Sequence, residues 1–225
     1  MEVRVWDLPT RLFHWLLVAC ITTSALTGFF NGIFGSSTID WHLRSGYCAL
    51  GLVVFRLVWG VIGGTYACFV NFLRGPRSVA LYLAALSKPR DGPAALGHNP
   101  LGGWSVMAML MAVGTQAVTG LFISLEDYGF AAPLAKHVSR AVSDRMNAIH
   151  TAVIWVVLAL VALHLLAIAY YAIVKKANLV PAMVTGFKRV SSVNPEDASR
   201  GGNIFLGLAV AAAVSYSVWW LVTKA

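Results

Sequence analysis

Four stretches of this chain, residues 12–39, 92–125, 146–174 and 201–223, contain no Lys, Arg, Asp or Glu, and that absence decides what the chain can fold into. Each can hold the roughly 20 apolar residues that carry a helix across a bilayer. A further apolar stretch, 42–64, is interrupted only by Arg44 near its start and Arg56 near its end, from where a long side chain reaches an interface. The expected spans are five helices, at about 13–32, 42–63, 103–124, 146–174 and 203–222. Between the second and third, Gly75-Pro76, Lys88-Pro89-Arg90 and Gly92-Pro93 stop helices on both sides of a short amphipathic piece around 78–86, which is expected to lie on the membrane surface.

Composition agrees. Of 225 residues 58% are hydrophobic and 12% charged, with a mean hydropathy of +0.72, against about 45–50% and about 25% in soluble domains. A soluble domain and a disordered chain are both excluded. Three cysteines, Cys20, Cys48 and Cys68, lack metal-ligand spacing and read as small packing residues, and no CxxCH is present to attach a c-type haem covalently. A net charge of +8 would point to nucleic acid in a soluble protein; across a membrane its distribution matters instead, and no nucleic-acid partner is expected. Eleven Lys and Arg fall on the side of the N-terminus and five on the other, so the N-terminus is expected in the cytoplasm and the C-terminus in the periplasm. The first span exceeds a signal-peptide apolar core and no small-x-small cleavage site follows it. No internal repeat or low-complexity tract is evident.

Of the six histidines, His14, His42, His150 and His164 fall in expected spans, where a histidine is costly and marks function unless it is simply hydrogen-bonded within the structure. His150 and His164 lie fourteen residues apart on one helix; that spacing brings them within about 40° of one face and about 21 Å apart along the axis, one near each edge of the bilayer. Combined with the alternating direction of the spans, depth sorts the four into two pairs, His42 with His150 toward the periplasm and His14 with His164 toward the cytoplasm. Two such pairs across a four-helix core are what two non-covalent haems b require, and iron held by two imidazoles keeps no open position, which suits electron transfer. Zinc would call for closer clusters with Cys or carboxylate help.

Gly46 follows His42 by one turn, and Gly51, Gly114 and Gly120 lie elsewhere in the second and third spans; small residues there admit a porphyrin or serve helix packing. Arg56 sits on nearly the same face as His42 at the level of the inner pair, where it can meet a haem propionate. Arg11, just before His14, can do the same or snorkel to the interface.

The segments Val5-Trp6-Asp7-Leu8-Pro9-Thr10-Arg11-Leu12-Phe13-His14-Trp15, His42 with Gly46-Tyr47 and Arg56-Leu57-Val58-Trp59-Gly60, Gly97-His98-Asn99-Pro100-Leu101-Gly102-Gly103, and the His150 to His164 spacing resemble the bacterial cytochrome b subunits related to those of nickel-iron hydrogenases. The resemblance runs from about residue 3 to 190. It implies a four-helix core with two haems b, the four histidines as axial ligands, an inner-membrane location, and electron exchange between quinone and a redox partner that is often periplasmic. Thr151 stands where many relatives carry an acidic residue.

The expectation is an all-α, polytopic membrane helical bundle: a four-helix di-haem core in residues 1–190, then a linker and an extra transmembrane helix in 191–225 that docks a partner, forms a dimer or faces lipid. Its function would be electron transfer between a periplasmic redox protein, an iron-sulfur subunit or a c-type cytochrome, and the quinone pool of the respiratory chain, as one subunit of a quinone-linked oxidoreductase. The alternatives are a self-contained oxidoreductase, such as a superoxide oxidase reducing quinone, and a membrane anchor whose histidines pack without haem. His98 either exchanges protons with the quinone or caps its Pro-Gly turn. His137, with Lys136, Arg140 and Arg145, forms a solvated surface or a landing site for an acidic partner.

Overall fold

The computed structural model describes residues 2–30, 32–85, 96–125, 129–189 and 201–224. Lys88-Pro89-Arg90 and Gly92-Pro93, which stop the neighbouring helices, Leu86 at the end of the amphipathic piece, and Arg200, one of the eleven positive residues on the side of the N-terminus, lie outside the described residues. The long elements are helices: α1 (Leu8–Phe29), α2 (Thr38–Ile62), α5 (Pro100–Gly120), α6 (Arg140–Ile173) and α8 (Ile204–Lys224). These five are long and apolar enough to cross a membrane, and the chain is an all-α, multi-pass membrane protein. Short helices α3 (Phe69–Phe72), α4 (Pro76–Ala85) and α7 (Val180–Thr185) join them, with two-residue to three-residue strands β1 (Glu2–Arg4), β2 (Ser124–Leu125), β3 (Phe130–Ala131) and β4 (Phe187–Arg189).

Helix α1 begins five residues before the expected span because Asp7 caps it: Thr10 N–H donates to Asp7 Oδ1 at 2.9 Å, and Pro9 occupies the first turn, where no intrahelical donor is needed. Helix α6 likewise begins at Arg140, ahead of the charge-free window, since charged residues in the first turns of a spanning helix can sit outside the hydrocarbon. Helix α4 occupies the place expected for the amphipathic surface piece.

Contacts divide the chain into two compact units. The first comprises Met1–Leu12, Arg56–Ala108 and Ala162–Val210, the second Phe13–Phe55, Met109–Val161 and Ala211–Ala225. In the first, β1 pairs antiparallel with β4, placing Glu2 opposite Arg189 and Arg4 opposite Phe187. Gly186, at φ 89°, ends α7 in the left-handed conformation a side chain resists, and its carbonyl accepts from Val5 N at 2.8 Å and Trp6 N at 3.2 Å. The start of α8 lies on the same unit's interior, where a Cβ on Gly207 would meet Pro9 at 2.9 Å and the fully buried Trp59 at 3.5 Å.

In the second unit, β2 and β3 form a small hairpin, and Ser143 of α6 accepts from Ser124 N at 2.8 Å to hold it. Helix α8 packs on α2 at Gly51, whose Cβ would lie 3.8 Å from both Val214 and Val218. Gly114 is an ordinary packing position, 3.5 Å from Val53.

Candidate functional site

Helices α1, α2, α5 and α6 of the second unit line a cavity of about 880 Å³, to which Leu125 and Phe130 of the β2–β3 pair also contribute. His42 and His150 both line it, with ring centroids 6.2 Å apart and planes at 68°. Imidazole–metal bonds run about 2.0–2.1 Å, so two rings on opposite sides of one ion have centres roughly 6 Å apart. The spacing of His42 and His150 is that of two rings sharing a metal.

Each ring is held by its other nitrogen. His42 Nδ1 lies 3.0 Å from the Ser24 carbonyl, and His150 Nδ1 lies 2.9 Å from the Gln116 carbonyl. A carbonyl cannot donate, so both Nδ1 atoms carry the proton and both Nε2 lone pairs are left for an electrophile. Thr27 Oγ1 lies 3.1 Å from His42 Nδ1, and Thr119 Oγ1 lies 3.3 Å from His150 Nδ1.

These two settings are carried by one short segment written twice, Thr23-Ser24-Ala25-Leu26-Thr27-Gly28 near the end of α1 and Thr115-Gln116-Ala117-Val118-Thr119-Gly120 at the end of α5. Its glycines clear the rings: a Cβ on Gly28 would lie 3.3 Å from the His42 ring, and one on Gly120 would lie 3.1 Å from the His150 ring. Both alanines line the cavity. Sequence reasoning missed this repeat, although the pattern Thr-x-Ala-x-Thr-Gly is visible in the text of the chain.

Gly46 lines the cavity too, and a Cβ there would meet nothing within 4 Å among the described residues. Of the glycines with two expected roles, Gly46 thus faces open space and Gly120 clears a ring, whereas Gly51 and Gly114 pack helices.

The other expected residues are distributed between the units. His14 belongs to the second unit, its ring edge-on to Trp15 at 4.9 Å, and His164 belongs to the first. Arg56, 2% exposed, also lies in the first unit; its guanidinium donates to Ala67 O at 3.0 Å and lies over Phe69 at 4.7 Å. Its Nη1 is buried with no hydrogen-bond partner among the described residues. Arg11 donates to the Val184 carbonyl at the end of α7, with its Nε buried and unpartnered among the described residues. His98 packs between Trp6 at 4.8 Å and Phe72 at 4.4 Å. Burial, then the nearby Arg56 and His164, push it down to about 3. The capping expected of His98 is done by its neighbour, since Asn99 Oδ1 accepts from Gly102 N at 2.7 Å. His137 is exposed at the end of a 3-10 turn.

The model of one family, prokaryotic cytochrome b561, matches residues 5–186 of this chain. The chain belongs to that family. It is similar to the "Probable Ni/Fe-hydrogenase B-type cytochrome subunit" of Rhizobium leguminosarum bv. viciae, with 22% identity over 82% of this chain and 88% of the relative. The protein of the same name from Azotobacter chroococcum mcd 1 is 23% identical over 86% and 91%. A 23% identical match to the "Probable Ni/Fe-hydrogenase 1 B-type cytochrome subunit" of Escherichia coli (strain K12) covers 57% of this chain and 64% of that relative. No solved structure matches significantly.

This cytochrome b561 family member is therefore a membrane cytochrome b, a haem-binding protein of electron transport. Its second unit fits such a group by observation: a roomy apolar cavity, two neighbouring imidazoles whose Nδ1 atoms are committed to backbone carbonyls, and Gly46 lining the space.

Proposed function

We propose that this cytochrome binds two haems b and transfers electrons between a periplasmic redox partner and the quinone pool of the bacterial inner membrane. The reading is carried by the 6.2 Å separation of the His42 and His150 rings across their cavity, with both Nδ1 atoms committed to backbone carbonyls. His42 and His150 would hold the outer haem, and Gly46 would leave room for it. His14 and His164 would hold the inner haem, a pairing supported by their spacing along the chain and by the family resemblance. Bound haem supplies a one-electron ferric/ferrous couple, and two imidazoles deny it the open position that oxygen chemistry needs.

Arg56 offers its Nη1, unpartnered among the described residues, to an inner propionate, as a charge-assisted hydrogen bond in a site where an unpaired guanidinium nitrogen is expensive. Arg11 stands close to the same end, with most of its reach spent on Val184. His98 belongs to the quinone side. The N-terminus is cytoplasmic and the C-terminus periplasmic, by the bias of Lys and Arg between the loops. Residues 1–190 form the di-haem domain, and 191–225 add the linker and fifth span. The names of the relatives support a complex with a hydrogenase-type partner, and the proposed contact is an iron-sulfur subunit or a c-type cytochrome.

The test is a haem-to-protein ratio with a reduced-minus-oxidised spectrum on the detergent-purified chain. Two low-spin haems b are expected, and His42→Ala and His150→Ala should each remove the same one. A single haem in the unmodified protein, or two variants that impair different haems, would overturn the assignment.

A further inference from the structure

In both settings of the repeated segment the threonine before the glycine does more than finish its helix. Thr27 Oγ1 donates to the Thr23 carbonyl at 2.7 Å, and Thr119 Oγ1 donates to the Thr115 carbonyl at 2.8 Å. With its own proton spent in this way, each hydroxyl presents lone pairs to the histidine on the neighbouring helix, at 3.1 Å for His42 and 3.3 Å for His150. Each Nδ1–H is therefore shared between a backbone carbonyl three residues before the threonine and the threonine oxygen itself. Ser24 and Gln116 differ in every other respect, so what the two settings keep in common is the carbonyl, the hydroxyl and the ring clearance that the following glycine gives.

Sharing an Nδ1–H with two acceptors pulls electron density toward Nε2 and makes the imidazole a stronger donor to a metal, which favours the more highly charged ion. We infer that Thr27 and Thr119 are paired positioning residues that lock the tautomer of His42 and His150 and hold the outer haem at a lower reduction potential than its carbonyl partners alone would give. The inference rests on the ligand assignment proposed above. Because the two hydroxyls act on the two histidines that would hold one haem, their effects would combine on a single couple. A hydroxyl that only back-bonded within its own helix, as threonines in spanning helices commonly do, would leave that couple unmoved.

The experiment is a redox titration, followed by absorption and electron paramagnetic resonance, of the haem-loaded full chain in detergent, for Thr27→Val, Thr119→Val, the double variant and the two Thr→Ser variants. Each valine should raise the outer midpoint, changing its ferric-to-ferrous ratio at fixed ambient potential by about threefold to tenfold, the upper end being about 59 mV for one electron. The double variant should multiply the two factors, the inner haem should stay where it was, and serine should restore the original value. Thr27→Ala and Thr119→Ala, which remove the hydroxyl without adding bulk, take the place of any valine variant that fails to assemble. Unchanged midpoints with both haems retained overturn the inference. If His42→Ala and His150→Ala do not remove one and the same haem, it is the underlying ligand assignment that fails.

Discussion

The indole N–H of Trp59 points at the carboxylate of Asp7, 3.2 Å from one oxygen and 3.4 Å from the other, and Trp59 has no exposed surface at all. The same carboxylate accepts from Thr10 N at 2.9 Å and from Gly64 N at 3.3 Å. One side chain thus starts α1, fastens the turn after α2, and meets Gly202 ahead of α8, where a Cβ would collide with both Asp7 and Trp59. Replacing Asp7 by Ala removes the acceptor that three donors share and the charge that opposes Arg56. A loss of about 3 kcal/mol or more is expected. It should appear as a lower thermal midpoint in detergent, with Asp7→Asn, which keeps one acceptor oxygen, less affected. Equal midpoints for Asp7→Ala and the unmodified chain would refute this role.

Gly28 and Gly120 make a second prediction. A methyl at either would press on a histidine ring, at 3.3 and 3.1 Å, and those rings are packed from behind by their own hydrogen bonds. Gly120→Ala should lower haem retention more than Gly28→Ala. Gly51→Ala, where the new methyl makes ordinary contact at 3.8 Å with two valines, should retain haem as the unmodified chain does. The haem-to-protein ratio of the three variants decides it.

Arg56 offers a test on the inner side. Its cation is buried over two aromatic rings with one nitrogen unpartnered among the described residues. Removing a positive charge beside a haem favours the ferric state, so under the proposed assignment Arg56→Met should lower the inner midpoint and leave the outer one in place. Arg56→Lys keeps the charge while losing the planar fork, and should recover most of the shift. A midpoint that does not move in Arg56→Met would detach this arginine from the inner haem.

The spans were readable, and with them the meeting of His42 and His150, because hydrophobic length and residue spacing survive in a single sequence. Their boundaries were not, because Asp7 and Pro9 start α1 ahead of Arg11, and a rule built on charge-free windows stops at the arginine. The β1–β4 pairing escaped for a different reason: Glu2–Arg4 and Phe187–Arg189 are too short to show a period of two, and only the fold brings residues so distant in sequence together. The repeated Thr-x-Ala-x-Thr-Gly segment was in plain view. Its meaning was hidden because each copy acts on a histidine of the next helix, at different separations along the chain, and the text of one helix does not say which neighbour it serves.

His98 gives the last prediction, through acidity. Its ring is enclosed by Trp6 and Phe72, its Nδ1 has no hydrogen-bond partner among the described residues, and burial with help from Arg56 and His164 holds its proton affinity down at about 3. An unfolded histidine takes up a proton near 6.5, whereas this one stays neutral until far lower pH. Between those values the unfolded chain binds more protons than the folded one, so the contribution of His98 is intact above about pH 6.5 and is lost as pH falls, by up to about 1.4 kcal/mol per pH unit. Thermal midpoints in detergent from pH 7.5 to 4.5 should therefore fall more steeply for the unmodified chain than for His98→Gln, which carries no titrating group. Parallel slopes would mean that His98 is reached by solvent, and would remove it from the buried cluster beside Arg56.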